Sequence, residues 1–226
     1  MFNILTLNKI SKVGLDKLDP AKYTCSDSVE APDAILVRSA SMHEMTLSPA
    51  TLAIGRAGAG VNNIPVADFG AQGVAVFNTP GANANAVKEL VLCSLFLASR
   101  KVASAVDWCK TLKGEGDAVG KLVEKGKSAF AGPEILGKTL GVIGLGAIGT
   151  LVAEGAKALG MDIVGYNPKL SEERIADLTS KGVKLMSSLD ELYAASDYIT
   201  LHLPLNDSTR GMINGEAIAK MKDGVR

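Results

Sequence analysis

Apolar positions along this chain follow two rhythms that alternate. Phe2–Leu7, Tyr23–Ser26, Ala34–Arg38, Ile54–Ala57 and Val74–Phe77 are short apolar runs bounded by polar and turn residues, the pattern of buried strands. Short helices are predicted between them, one ending near Leu18 and one opening at Pro65, whose missing N–H suits a first helical position. From Asn83 a longer pattern places Val87, Leu90, Val91, Leu95 and Ala98 on one helical face, and it runs on past Arg100 and Lys101 through Val106 and Trp108 to about Leu112. The glycine- and lysine-rich stretch Gly114–Gly132 predicts a loop or arm with one short helix around Leu122. The second half repeats the alternation, with strands at Thr139–Ile143, Asp162–Tyr166, Val183–Met186 and Asp197–Leu201. Helices are predicted over Ala147–Leu159, Ser171–Ser180, Ser188–Ala194 and Gly215–Met221, and Asp223–Arg226 reads as the turn into another strand. Strands alternating with helices predict parallel sheets and the α/β class, in two domains whose boundary lies on or near the long helix.

The sharpest chemical signal follows the strand at Thr139. Gly144-x-Gly146-x-x-Gly149 sits between a strand and a helix, with a second strand close behind. Gly144 permits the tight turn, Gly146 lets backbone approach a pyrophosphate, and Gly149 lets helix and strand pack closely. The helix start adds unpaired N–H groups and a partial positive charge. The acidic residue expected about 20 positions on is absent: the second strand ends Tyr166-Asn167-Pro168-Lys169. Asn167 can hydrogen-bond a ribose hydroxyl without repelling a 2′-phosphate, and Lys169 can attract one. NAD is therefore the first expectation for cofactor, with NADP second.

Ligands of parallel sheets bind outside the carboxyl ends of the strands. Arg38, Arg56 and the Gly58/Gly60 turn all fall at such an edge. Two guanidinium forks with glycine-rich backbone suit a carboxylate or phosphate, although solvated arginines at loop starts read equally well from spacing alone.

Composition narrows the field. At 226 residues the chain has room for two small domains with ample core. Its 24 basic and 24 acidic residues balance, with no basic tract, which argues against nucleic acid and anionic membrane as partners. Cys25, Cys93 and Cys109 fit no metal or disulfide spacing and read as free buried thiols. The start of the chain reads as a strand, not a signal peptide. The longest apolar run, Leu90–Ala98, is too short to span a bilayer, so a cytoplasmic protein is expected.

Several motifs together resemble a known family. They are Leu36-Val-Arg-Ser-Ala40, Gly55-Arg-Ala-Gly-Ala-Gly-Val-Asn-Asn-Ile64, Asn78-Thr-Pro80 with Glu89-Leu90, Phe130-Ala-Gly-Pro-Glu-Ile-Leu-Gly-Lys-Thr-Leu-Gly141, the glycine turn, Ile199-Thr-Leu-His-Leu-Pro-Leu205 and Lys222-Asp-Gly-Val-Arg226. The chain resembles the D-isomer-specific 2-hydroxyacid dehydrogenases almost end to end. The resemblance implies a flavodoxin-like parallel-sheet substrate domain over 1–98 and a Rossmann nucleotide-binding domain over 99–226, C-terminally incomplete with strand order 3-2-1-4. It implies hydride transfer from a 2-hydroxyacid such as 3-phosphoglycerate to NAD, the first step of serine biosynthesis, and a homodimer. Substrate contacts are implied for Arg38, Ser39, Arg56, Ala59 and Gly60. Cofactor contacts are implied for Gly144, Gly146, Ala147, Ile148, Gly149, Asn167, Leu203 and Pro204.

The sequence departs from the family pattern in places. Asn167 and Asn62 stand where aspartate is usual, Lys88 stands where a small residue is usual, and the segment between Trp108 and Phe130 is longer. In the family an arginine and a histidine paired to a glutamate carry the chemistry, and the resemblance places all of them beyond Arg226. The expectation is a fragment, inactive and marginally stable as it stands. The two histidines present, His43 and His202, read as a solvated loop residue and a hydrogen-bonded strand-end residue. A non-catalytic dinucleotide-binding or dimerisation module is the alternative reading, and an enzyme for an unphosphorylated acid such as D-lactate or glyoxylate is the alternative within the family.

Overall fold

The computed structural model describes residues 1–226, which divide into two compact units, Met1–Asn83 and Ala84–Arg226. The division falls at the start of the long helix and not at its end, where the expected 98/99 boundary lies. The reason is packing: Leu92 of that helix lies against Gly155 in the glycine-turn helix, where a Cβ would come within 3.0 Å of Leu92 Cδ1.

The first unit is a parallel sheet of β1 (Phe2–Leu7), β2 (Tyr23–Ser26), β3 (Ala34–Val37), β4 (Ala53–Arg56) and β5 (Ala75–Phe77), in the order β2-β1-β3-β4-β5. That is the flavodoxin-like order. Its helices are short, α1 (Lys12–Leu15) and α2 (Val66–Ala71), with Pro65 capping the second. Alternation along the strands sends Ile35, Val37 and Ile54 to one face, where they bury against Met42, Ile64 and Phe69.

The second unit opens with α3 (Ala84–Ser99) and α4 (Val102–Thr111). The expected single helix is broken between them, at Lys101 with φ 1° and ψ 37°. Gly132 packs at the break: its backbone crosses the end of α3 so closely that a Cβ there would lie 1.9 Å from the Ser99 carbonyl oxygen. The predicted arm Gly114–Gly132 is mostly helical, with 3₁₀ turns at Gly116–Ala118 and Lys127–Phe130 around α5 (Val119–Gly126). Trp108 holds it back by a tilted ring contact with Phe130, ring centroids 5.1 Å apart, and by covering Gly126.

The sheet of this unit comprises β6 (Thr139–Ile143), β7 (Asp162–Tyr166), β8 (Val183–Leu185) and β9 (Tyr198–Leu201), all parallel, in the order β8-β7-β6-β9. Numbered within the unit this is 3-2-1-4, as expected for half a Rossmann sheet. The remaining helices are α6 (Ala147–Ala158), α7 (Glu172–Ser180), α8 (Leu189–Ala195) and α9 (Gly215–Ala219). Ser171, Ser188 and Asn214 start the last three by accepting the N–H of Arg174, Glu191 and Ala217. Alternation on β6 sends Val142 into one core with Val152 and Leu178, and Ile143 into the other with Leu192 and Tyr193, so both faces of the sheet are covered. Arg226 pairs beside β9, donating to Asp197 O and accepting from Ile199 N, in keeping with the strand expected after Asp223.

All three cysteines are free, but Cys93 and Cys109 are exposed and Cys25 is half-buried, against the expectation of buried thiols. Cys93 and Cys109 ride on the outer faces of α3 and α4. No helix is long and apolar enough to cross a membrane.

Candidate functional site

The three glycines after β6 do three different jobs. Gly144 has φ 93°, and a Cβ there would come within 2.5 Å of the His202 carbonyl oxygen, so both backbone sign and space exclude a side chain. Gly149 lies against the strand end, where a Cβ would sit 1.9 Å from Gly144 O and 3.3 Å from Val142 Cγ1. Gly146 differs. It caps α6 in extended backbone, φ −77° and ψ −160°, and its Cβ position has nothing within 4 Å. Having no side chain, Gly146 leaves the first turn of α6 uncapped. The N–H groups of Gly146, Ala147 and Ile148 donate to no protein acceptor. An open approach at Gly146 and free donors at a helix start fit a dinucleotide pyrophosphate.

The other cofactor candidates gather at the same carboxyl edge. Leu203 follows β9, with Cδ2 2.8 Å from the Cβ position of Gly144. Pro204 continues that loop, its carbonyl accepting the Thr209 hydroxyl at 2.7 Å. Asn167 stands at the end of β7, where a ribose contact was expected. Its Oδ1 accepts the Leu145 N–H at 3.2 Å and its Nδ2 donates to Lys169 O at 2.9 Å. His202 is half-buried and hydrogen-bonds Thr200 Oγ1 at 3.0 Å, and burial pushes its imidazole below the ordinary 6.5. It is a neutral strand-end residue at pH 7.

In the first unit the candidate anion site is the loop after β4. Arg56 Nε is buried without a partner, and its guanidinium lies over Gly58, where a Cβ would be 1.6 Å from Nη1. The N–H groups of Ala59 and Gly60 donate to no protein acceptor. The loop is held from β5, with Asn78 Nδ2 donating to Ala59 O at 2.7 Å and Thr79 N to Gly58 O at 2.9 Å. A cavity of about 190 Å³ lies there, lined by Leu36, Gly55, Arg56, Phe77, Asn78 and Thr79. Register sets Val37 opposite Arg56, so Arg38 leaves the sheet one residue beyond it, exposed and in no ion pair. Ser39 and the next residue donate their N–H groups to Asn8 Oδ1 at 2.9 and 2.5 Å. His43 Nε2 is 2.8 Å from Asn62 O. Neither histidine contacts a carboxylate.

Four residues that shape these sites had no role assigned from sequence, Asn78 among them although it opens one of the family motifs. Asn8 has φ 67°, a conformation asparagine tolerates better than most, so an asparagine directly after a strand was its signal. Asn78 gave the same signal. Thr150 and Arg174 gave none. Arg174 Nη2 donates to Leu145 O at 3.2 Å and to Thr150 Oγ1 at 2.5 Å, and Nη1 pairs with Asp177.

A doubly covered parallel sheet, a glycine turn of this geometry and a free helix start define a dinucleotide-binding α/β protein. The family model of the D-isomer specific 2-hydroxyacid dehydrogenase NAD binding domain matches residues 92–226. The chain is 40% identical over 201 residues to D-3-phosphoglycerate dehydrogenase of Mycobacterium tuberculosis, covering 88% of this chain and 35% of that protein. It is 42% identical over 196 residues to hydroxypyruvate reductase of Thermotoga maritima, covering 85% and 58%. Among solved structures, a glyoxylate reductase from Paecilomyes thermophila superposes with TM-score 0.78 at 26% identity, over 99% of this chain and 71% of that one. D-Lactate dehydrogenase from Aquifex aeolicus, complexed with NAD and lactic acid, gives 0.75 at 26% identity, over 99% and 67%. The chain belongs to the D-isomer-specific 2-hydroxyacid dehydrogenases, and it carries that family's NAD-binding domain. It spans between about a third and three fifths of the two curated relatives named.

Proposed function

We propose that this chain is the substrate- and NAD-binding part of an enzyme that oxidises a phosphorylated 2-hydroxyacid, 3-phosphoglycerate, at the start of serine biosynthesis. The observation that carries this reading is the pairing of chemistries: an open pyrophosphate cradle at Gly146 and an anion loop whose buried Arg56 Nε has no protein partner. Arg38, Ser39, Arg56, Ala59 and Gly60 bind the acid, with guanidinium groups, the Ser39 hydroxyl and the free N–H groups of Ala59 and Gly60 meeting its carboxylate and phosphate. Gly144, Gly146, Ala147, Ile148 and Gly149 hold the pyrophosphate, Asn167 borders the ribose, and Leu203 and Pro204 cover the adenosine side. When bound, the nicotinamide supplies the hydride acceptor, and the residues here bind and orient. His43 and His202 each bond through Nε2, to Asn62 O and Thr200 Oγ1, and neither contacts a carboxylate. The 226 residues therefore contain no histidine–carboxylate pair, and binding without turnover is the expected behaviour of this polypeptide. The exposed apolar residues Leu90, Leu97, Val102 and Val106 on α3 and α4 support a homodimer, and Val106→Glu should then halve the mass seen by light scattering.

A second reading, an unphosphorylated acid, is favoured by the likeness to hydroxypyruvate reductase. Calorimetric titration with NADH, NADPH, 3-phosphoglycerate and D-lactate separates them. NADH should bind more tightly than NADPH, and 3-phosphoglycerate should bind where D-lactate does not. Equal affinity for the two acids sinks the phosphate assignment, and a folded sample that ignores NADH sinks the whole reading.

A further inference from the structure

We infer that Arg174, Thr150 and Asn167 form a clamp on Leu145 that sets the phosphate-binding turn before any ligand arrives, with Arg174 as a positioning residue for dinucleotide binding. The inference rests on the cofactor reading above and extends it to residues outside the glycine motif.

Leu145 lies between the two glycines that shape the turn, and both of its peptide groups are fixed by side chains from other elements. Its N–H is held by Asn167 Oδ1 at 3.2 Å, from the end of β7. Its carbonyl accepts from Arg174 Nη2 at 3.2 Å, from α7, and lies 3.3 Å from Thr150 Oγ1 of α6, whose single proton it shares with Gly146 O. A trans peptide points its C=O and N–H in opposite directions. Holding Leu145 O toward Arg174 therefore aims the Gly146 N–H away from α7, and that N–H is one of the free donors. Holding the Leu145 N–H toward Asn167 likewise turns Gly144 O the other way, onto Gly149, where the packing tolerates only a hydrogen.

The guanidinium is itself braced. Asp177 pairs with Arg174 Nη1 and also takes Lys181 Nζ at 3.2 Å, and Lys181 reaches Glu154 of α6 at 3.0 Å. Thr150 Oγ1 lies between Arg174 Nη2 and Gly146 O, the latter at 2.8 Å. A turn that would otherwise sample many glycine conformations is thus held in one, and the ordering cost does not fall on binding. Asn167 gains a structural task in this arrangement: its Oδ1 accepts from Leu145 and its Nδ2 donates to Lys169 O, which leaves one lone pair and one N–H for the ribose.

The test compares wild type, Arg174→Ala and Thr150→Val in two ways. Titration with NADH, ADP-ribose and adenosine should show Arg174→Ala weakening the first two by about tenfold and adenosine by less than about twofold, since only the first two carry a pyrophosphate. Hydrogen exchange of ligand-free protein should show faster exchange across residues 143–150 in Arg174→Ala, and a smaller increase in Thr150→Val. Thr150→Val keeps the test decisive should Arg174→Ala fold poorly. Unchanged exchange in both variants, or equal losses for NADH and adenosine, overturns the clamp. Wild-type protein with a protected turn and no affinity for NADH leaves the clamp standing and overturns the dinucleotide reading.

Discussion

The turn after β6 and the loop after β4 are both glycine-rich, both leave a parallel strand at its carboxyl end, and both offer free backbone N–H groups. They differ in how much of their polar chemistry is already spent. Around Leu145, both peptide groups are fixed by three side chains, and two of the three glycines are packed so closely that any side chain collides. Around Arg56, the guanidinium Nε is buried with nothing to bond, and the loop is tied down by Asn78 and Thr79. The first is a rigid cradle whose shape is part of the fold. The second stores unsatisfied donors that an anion can relieve. Filling either packed glycine of the first should therefore reach stability and binding together, while damage to the second, or at the open Gly146 of the first, should reach binding alone.

Gly149→Val gives the largest effect. Its Cβ meets Gly144 O at 1.9 Å, so α6 must lift from β6, at a cost of about 3 kcal/mol with NADH binding lost. Urea denaturation and NADH titration check both halves, and a variant as stable as wild type would remove the distinction between the two turns. Arg56→Met should do the reverse. It keeps the stem, removes the unpaired buried Nε, and leaves stability within about 0.5 kcal/mol, yet phosphate or 3-phosphoglycerate affinity should fall by more than about tenfold. A large loss of stability with unchanged anion affinity would make Arg56 a structural residue.

The smallest effect is a pH slope beside the cradle. Burial lowers the His202 pKa below 6.5, so the unfolded chain takes up the proton first as pH falls. The stability contributed by neutral His202 is complete above about pH 6.5 and is lost as pH drops through the lower folded value. His202→Gln should flatten the decline in urea midpoint between about pH 7 and pH 5 relative to wild type. A parallel decline in both proteins would show that the imidazole is not desolvated.

How far the sequence carried depends on the range of the interactions. The strand order 3-2-1-4, the roles of Gly144 and Gly149, and the helix starts at Ser171 and Ser188 rest on local pattern, and each was legible. The helical character of Gly114–Gly132 was not, because glycine and lysine there signal a loop. The segment packs against Trp108, which lies on Gly126, where a Cβ would be 2.3 Å from the indole. The break at Lys101 escaped notice for a similar reason: the apolar spacing continues through it, and Gly132, which packs against Ser99 at the break, is 33 residues away along the chain. Arg56 could be placed at a strand end, but its unpaired Nε follows from burial. Arg174 stands 29 residues from Leu145 in sequence and announces nothing about it.

The central claim is that the turn at Gly146 is where a dinucleotide pyrophosphate rests. Gly146→Val tests it most directly, because its backbone at φ −77° suits any residue and its Cβ position is open. The account predicts a ligand-free melting temperature matching wild type, with the NADH-induced rise abolished. A variant that melts like wild type and keeps its full rise with NADH would contradict it.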